Sequence, residues 1–182
     1  MSQPQAPKPA KLVVGLFLKK KHLVVPVAKE LVEQFGPIDV VSAWIPFDFT
    51  TYYEPEMGKP LFRRQLAFKT LIKQDALAQI KITTNDLELK YSKNDRRRVN
   101  LDPGYLLQER FVLATGKNFS HRIYIGRRIY ADLTLVFTKG EFQTLPWTYP
   151  DYADKKMLAY LAQVRSKYVS DLKQAPLTGD IE

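Results

Sequence analysis

Hydrophobic positions change period several times along the chain, and each change marks an element. Lys11–Leu18 is a nearly continuous apolar run, the signature of a strand buried on both faces, and Lys19-Lys20-Lys21 returns the chain to solvent. Val24, Val27, Ala28, Leu31 and Phe35 keep helical spacing, with Pro26 tolerable only in the first turn and Gly36-Pro37 as the stop. Ile38–Phe47 reads as a second strand, so 11–47 is a β-α-β unit whose strands should run parallel with a right-handed connection. Leu61–Phe68 reads as a third strand. Asp75 is placed to cap a helix with the apolar face Leu77, Ile80, Thr84, Leu87 and Tyr91. Arg97–Leu101 alternates again and runs into Asp102-Pro103-Gly104-Tyr105. That segment reads as a rigid turn, with Pro103 fixing its φ, Gly104 free to take φ > 0 and Asp102 bonding back to the backbone.

The second half is richer in strand signals. Phe111–Ala114 is a further strand. In Arg122–Phe137 a three-residue loop, Gly126-Arg127-Arg128, keeps Ile123, Ile125, Ile129, Ala131, Leu133, Leu135 and Phe137 on one core face. The same register sets Tyr124 opposite Tyr130 and Arg122 opposite Asp132, an aromatic pair beside an ion pair. Lys139-Gly140 turns the chain into a short strand at Glu141–Leu145. Pro146–Tyr152, with prolines four apart, forms an aromatic strap. A last helix buries Met157, Leu161, Val164, Tyr168 and Leu172. The expected fold is one α+β domain over 11–173, between a mobile arm (1–10) and a frayed tail (174–182). Its mixed, mostly antiparallel sheet is backed by about three helices. The order β-α-β-β-α-β in the first half fits a ferredoxin-like core, extended by the C-terminal hairpin and helix.

Charge and composition narrow the functional classes. The net charge of +9 biases the surface toward phosphates, whether of nucleotides, nucleic acid or anionic lipid. The absence of cysteine removes disulfides, Fe-S clusters and cysteine nucleophiles, and fits a reducing compartment. No stretch approaches the roughly 18–20 apolar residues that span a bilayer, and the first ten residues lack an apolar signal core. A cytoplasmic protein without a membrane partner is expected.

Several chemistries lack their residues. The eight glycines never fall two apart, so there is no G-x-G-x-x-G and no NAD is expected. Gly58-Lys59 and Gly116-Lys117 fail the phosphate-loop pattern, since the earlier glycine is Tyr53 or Phe111 and neither pair is followed by Ser or Thr. The only histidines are His22 and His121, so a multi-histidine zinc site is unavailable and no haem is expected. G-x-S-x-G is absent. What remains is acids, arginines and aromatics on loops. The 48–58 segment offers Asp48, Tyr52, Tyr53, Glu54 and Glu56. If it is extended, the two glutamates point the same way, as a divalent cation or an acid/base pair would require. Asn100, Asp102 and Tyr105 flank the expected turn. Arg97 and Arg98 point to opposite faces of a strand, so one of them serves any given pocket. His121 shares the parity of Ile123, and Arg122–Asp132 reads first as a cross-strand pair.

Four of these segments carry a resemblance. They are Pro46–Thr50 with Tyr52–Gly58, Arg97–Tyr105, Ser120–Gly126 and Pro146–Tyr152. Together they resemble a family of bacterial and archaeal proteins classed as a domain of unknown function, sometimes loosely labelled GTP-binding proteins. The resemblance covers most of residues 8–170, and Gly126-Arg127-Arg128 departs from it. It implies no established activity, and the failed phosphate-loop patterns lend the GTP label no support.

The residues point to a cleft at one sheet end, built by the 48–58 loop, the Asp102–Tyr105 turn and the strap. An anionic small molecule, such as a nucleotide, fits there. Arg97 or Arg98 and Arg122 would meet phosphate or carboxylate, and Tyr52 or Trp147 would stack a ring. Glu54, Glu56 and Asp102 would hold a divalent cation or move protons. Tyr53, Asn100, Tyr105, His121, Tyr124, Asp132 and Tyr149 complete the candidate lining. Two rivals stand beside this reading. One is a nucleic-acid or ribonucleoprotein adaptor using Lys19–Lys21, Arg63-Arg64, Arg96–Arg98 and Arg127-Arg128. The other is a structural partner-binding module, favoured if the polar loops are scattered over the surface.

Overall fold

The apolar run near the N-terminus becomes the spine of the molecule. In the computed structural model, which describes residues 1–94 and 96–174, β1 (Ala10–Leu18) is buried along its whole length. It lies between two antiparallel partners, β4 (Phe62–Ile72) and β5 (Val99–Leu106). A strand paired on both edges and covered on both faces leaves little room for solvated side chains, hence the continuous apolar pattern. Helix α1 (Val24–Phe35) leads from β1 to two short strands, β2 (Ile38–Val41) and β3 (Ile45–Pro46), both paired with β4. The expected β-α-β unit is therefore split. Strands β1 and β2 run parallel, but β4 is inserted between them. With α3 (Leu77–Lys90) connecting β4 to β5, the order β2-β4-β1-β5 is the ferredoxin-like β-α-β-β-α-β arrangement.

The sheet continues through β6 (Arg110–Thr115) to β8 (Tyr130–Thr138). The outer edge of β8 is shared by β7 (Arg122–Tyr124) and β9 (Glu141–Thr144). The α+β architecture is as expected, and every ladder among the described strands is antiparallel. Helices α1 and α3 cover one face, where Val27, Leu31, Ile80 and Leu87 meet Leu12, Val14, Leu16 and Leu18. Helix α4 (Lys155–Gln174) covers part of the other, burying Met157, Leu161, Val164 and Tyr168. Each such side chain contributes about 2 kcal/mol, well above any helix-propensity term, so packing decides where α4 sits. The first nine residues are exposed and without regular structure. From 175 on, the stretch expected to fray lies outside the described residues.

The hairpin register is the predicted one: Arg122↔Asp132, Ile123↔Ala131 and Tyr124↔Tyr130, with 126–128 as the loop. The single apolar face is not. Ile123 is 71% exposed because β7 is a sheet edge. A β-bulge at Thr134 turns Leu133 and Leu135 into different core clusters. Asp75 makes no cap hydrogen bond. It sits in a 3-10 turn, Gln74–Ala76, that leads into α3.

The largest departure is at Asp102-Pro103-Gly104, which lies inside β5 rather than in a turn. Over Val99–Pro103 this strand pairs only with β1, because its ladder to β6 begins at Gly104. A proline is tolerated where a strand has one open edge. Gly104 does not take a positive φ. A Cβ there would stand 2.5 Å from the Val112 carbonyl oxygen, so the glycine serves the close approach of β6.

Lys11 is a buried cation in the spine, 2.5 Å from Asp39 and 2.8 Å from Asp171 of α4. Burial alone would raise the Asp171 carboxyl, but hydrogen bonds from Lys11 and Lys167 outweigh it and hold the group below its ordinary range. A depressed acid stabilises the fold above its unfolded pKa, and that contribution is lost as pH falls through the folded one. Lys11→Met should therefore cost about 3 kcal/mol at pH 7. The gap from wild type should begin to narrow below about pH 4 and go on shrinking as the acids protonate, measured by urea melts across pH. A gap that stays constant down to pH 3 would contradict this pairing.

Candidate functional site

Where β5 and β6 part company, the sheet opens. Only Gly104–Leu106 and Phe111–Leu113 are paired, so β5 before Gly104 and β6 after Leu113 diverge. The opening leaves a backbone edge that needs partners. Helix α3 supplies them: the Leu101 N–H donates to Glu88 Oε1 at 2.7 Å, and its carbonyl accepts from Lys81 Nζ at 2.8 Å. Two buried side chains thus stand in for a missing strand.

The opening is a cavity of about 830 Å³. Phe17, Arg63, Asn100 and Asp102 form its floor from three adjacent strands. Thr115, Gly116, Lys117 and Asp132 form one wall, and Lys81, Asn85 and Glu88 of α3 another. Phe49, Tyr52 and Tyr53 approach from the 48–58 segment, and Tyr149–Tyr152 from the strap. Lys117 Nζ donates to the Tyr52 hydroxyl at 3.2 Å, tying two sides of the mouth together. Three sequence-distant stretches therefore meet at one concavity.

Arg63 is the centre of the floor and is 2% exposed. Its guanidinium pairs with Asp151, lies 3.4 Å from Asp102, and donates to the Tyr152 hydroxyl at 2.9 Å. It also lies 4.6 Å from the centre of the Tyr152 ring. Gly15 makes room for it, since a Cβ there would stand 3.0 Å from Arg63 Nη2 and 2.9 Å from Gln65 Oε1. One donor is left over, because the buried Nε–H of Arg63 has no partner. Asn100 repeats the pattern. Its Oδ1 accepts from Arg97 Nη1 at 2.8 Å, while its buried Nδ2 has none. Burying such donors unpaired costs about 1–3 kcal/mol each.

Arg97 is clamped by Glu56 through two bonds of 2.7 Å, and a third runs from its backbone N–H at 3.1 Å. Those bonds hold Glu56 below the ordinary carboxylate range and raise Arg97. Burial pushes Tyr53 and Tyr152 up to about 12, so both phenols are neutral donors at pH 7. Burial also raises Glu88, against the opposing pull of Lys81.

Of the residues expected at the site, Tyr52, Tyr53, Arg97, Asn100, Asp102, Asp132 and Tyr149 line the cavity. His121 and Arg122 act behind it: both reach Asp132 Oδ2, at 3.1 and 2.8 Å, and Arg122 donates to the Tyr149 hydroxyl at 2.5 Å. Trp147 does not present a free ring. It stacks on His121 with centroids 4.8 Å apart and donates to the Leu133 carbonyl at 2.8 Å. Tyr105 packs into the apolar core, Tyr124 pairs with Tyr130 on the exposed edge, and Asp48 is exposed.

The expected cation site does not assemble. Glu54–Met57 is a short helix, α2, so Glu54 and Glu56 diverge, the first to Lys59 at 3.2 Å and the second to Arg97. Asp102 faces Arg63 instead. Among the described residues no three His, Asp or Glu side chains converge.

Lys81, Glu88 and Asp151 of the cavity are not expected from the sequence, and Arg63 is expected only as a nucleic-acid contact. The available signal is Arg63-Arg64-Gln65, three polar residues interrupting the apolar run Leu61–Phe68, of which Arg63 and Gln65 share a parity. The fold and cavity define an antiparallel α+β protein with a deep, charge-lined opening in its sheet. The chain belongs to the family described as Domain of unknown function (DUF4416), whose model matches residues 8–168. No curated protein and no solved structure matches it. Among the described residues, no helix is long and apolar enough to cross a membrane.

Proposed function

We propose that the cavity binds a small anionic molecule carrying a flat ring and acceptor atoms. One observation carries this reading. Two buried donors without partners, Arg63 Nε–H and Asn100 Nδ2–H, belong to residues that line the same cavity, and each calls for an acceptor. A carboxylate, a phosphate or ring nitrogens and carbonyls supply one, with charge-assisted strength at Arg63. The mouth suits a ring, since Phe49, Tyr52 and Tyr149 are all partly exposed there. The volume is that of a pocket for a cofactor-sized ligand. A chain without cysteine suits a reducing compartment, and the reading places this binding in the cytoplasm. Convergence of the polar loops at one concavity favours this reading over a purely structural module.

A thermal-shift screen of nucleosides, nucleotides and aromatic carboxylates tests it. At least one compound should raise Tm by a degree or more when present well above its Kd. Asn100→Leu should weaken that compound at least tenfold, measured by calorimetry. A flat panel, or equal binding by Asn100→Leu, would overturn the proposal.

A further inference from the structure

A second, smaller pocket of about 200 Å³ shares Arg97 with the cavity. Its origin is in the sheet register. Strands β1 and β5 are antiparallel with Leu18 opposite Val99, so the residues just after one and just before the other emerge at the same sheet end. Lys19 and Lys20 are thereby set beside Arg96, Arg97 and Arg98. Among the described residues the lining holds these five cations and a single carboxylate, Glu56, which is committed to Arg97. Lys19, Lys20 and Arg98 form no ion pair with any described residue. So many like charges in one concavity repel each other, and a compact polyanion relieves that repulsion.

We propose that this pocket seats a phosphoryl or pyrophosphoryl group. Arg97 is the wall between it and the aromatic cavity, so one ligand can place its ring on one side and its phosphates on the other. That continuity rests on the cavity reading above, whereas anion binding in the small pocket does not. The geometry favours a compact anion over a nucleic-acid backbone. The other arginine pairs do not extend the patch into a track: Arg63 is buried, Arg64 lies over Trp44, and Arg127-Arg128 form the hairpin tip.

Inorganic pyrophosphate is the probe, titrated calorimetrically into the full chain. It should bind, and Lys20→Ala/Arg98→Ala should weaken it at least tenfold with little change in Tm, because neither side chain is buried. Tyr149→Leu, at a residue that lines the cavity but not the small pocket and whose hydroxyl bonds to Arg122 rather than Arg97, should leave pyrophosphate affinity within twofold, which separates this pocket from the cavity. A nucleoside diphosphate should outbind both pyrophosphate and the nucleoside alone if the two pockets share a ligand. No pyrophosphate binding, or unchanged binding in the double variant, would overturn the proposal. So would tighter binding of a mixed oligonucleotide with a steep salt dependence, the behaviour of a nucleic-acid surface.

Discussion

Arg63→Met should lower stability by about 3–5 kcal/mol, the range for breaking a buried ion pair on one side. For a chain of this size that is a Tm loss of roughly 10 °C. The methionine fills most of the volume but leaves the Asp151 carboxylate buried without its cation, and it removes the donor to Tyr152. Asp151 and Tyr152 belong to the strap, so Arg63 is its buried fastening to the sheet, beside the more exposed bonds of Trp147 to Leu133 and Arg122 to Tyr149. Asp151→Asn in the same background should recover about half of the loss, since it removes the stranded charge. Urea melts of wild type and the two variants measure both effects. An Arg63→Met variant within 1 kcal/mol of wild type would mean the strap is held by its other contacts.

Gly104→Ala should cost about 3 kcal/mol, at the upper end of overpacking penalties, because the clash is with backbone. The added methyl would meet the Val112 carbonyl oxygen at 2.5 Å and Leu113 Cδ2 at 3.0 Å. Gly104↔Leu113 is the first of the three rungs joining β5 to β6, and it is also the inner end of the cavity. Pushing it apart should therefore abolish ligand binding as well as lower stability. Gly116 lines the same cavity with nothing within 4 Å of its would-be Cβ, so Gly116→Ala should fall within about 0.5 kcal/mol of wild type. Equal effects at the two glycines would contradict the close-approach explanation.

Gly104 also shows where sequence reasoning fails on this chain. Asp-Pro-Gly is strong turn chemistry locally, yet β1 pairs with the whole segment and overrides it. Whether a proline can sit in a strand depends on which edge is open, and that is set by β6, which follows later in the chain. The same limit hid the cavity's depth. The expected cleft of the 48–58 loop, the Asp102–Tyr105 turn and the strap is met in part: Asp102 joins the first and the last at the cavity, whereas Tyr105 packs into the core and the turn is a strand. The parting of β5 from β6 is a long-range register fact with no local signature. Glu54 and Glu56 were misjudged through their period: two apart in a strand they share a face, but in α2 they diverge. The hairpin register matches the expectation although the single apolar face that selects it is absent; the Arg122–Asp132 and Tyr124–Tyr130 pairings that the register also sets are present.

The account stands on Arg63 and Asn100 sharing one ligand. Nitrogen-15 NMR of the Arg63 Nε–H and Asn100 Nδ2–H signals, during titration with the best compound from the screen, tests it most directly. Both signals should move together and give one Kd, equal to the calorimetric value. Saturation of backbone shifts while these two signals stay in place would put the ligand elsewhere and contradict the account.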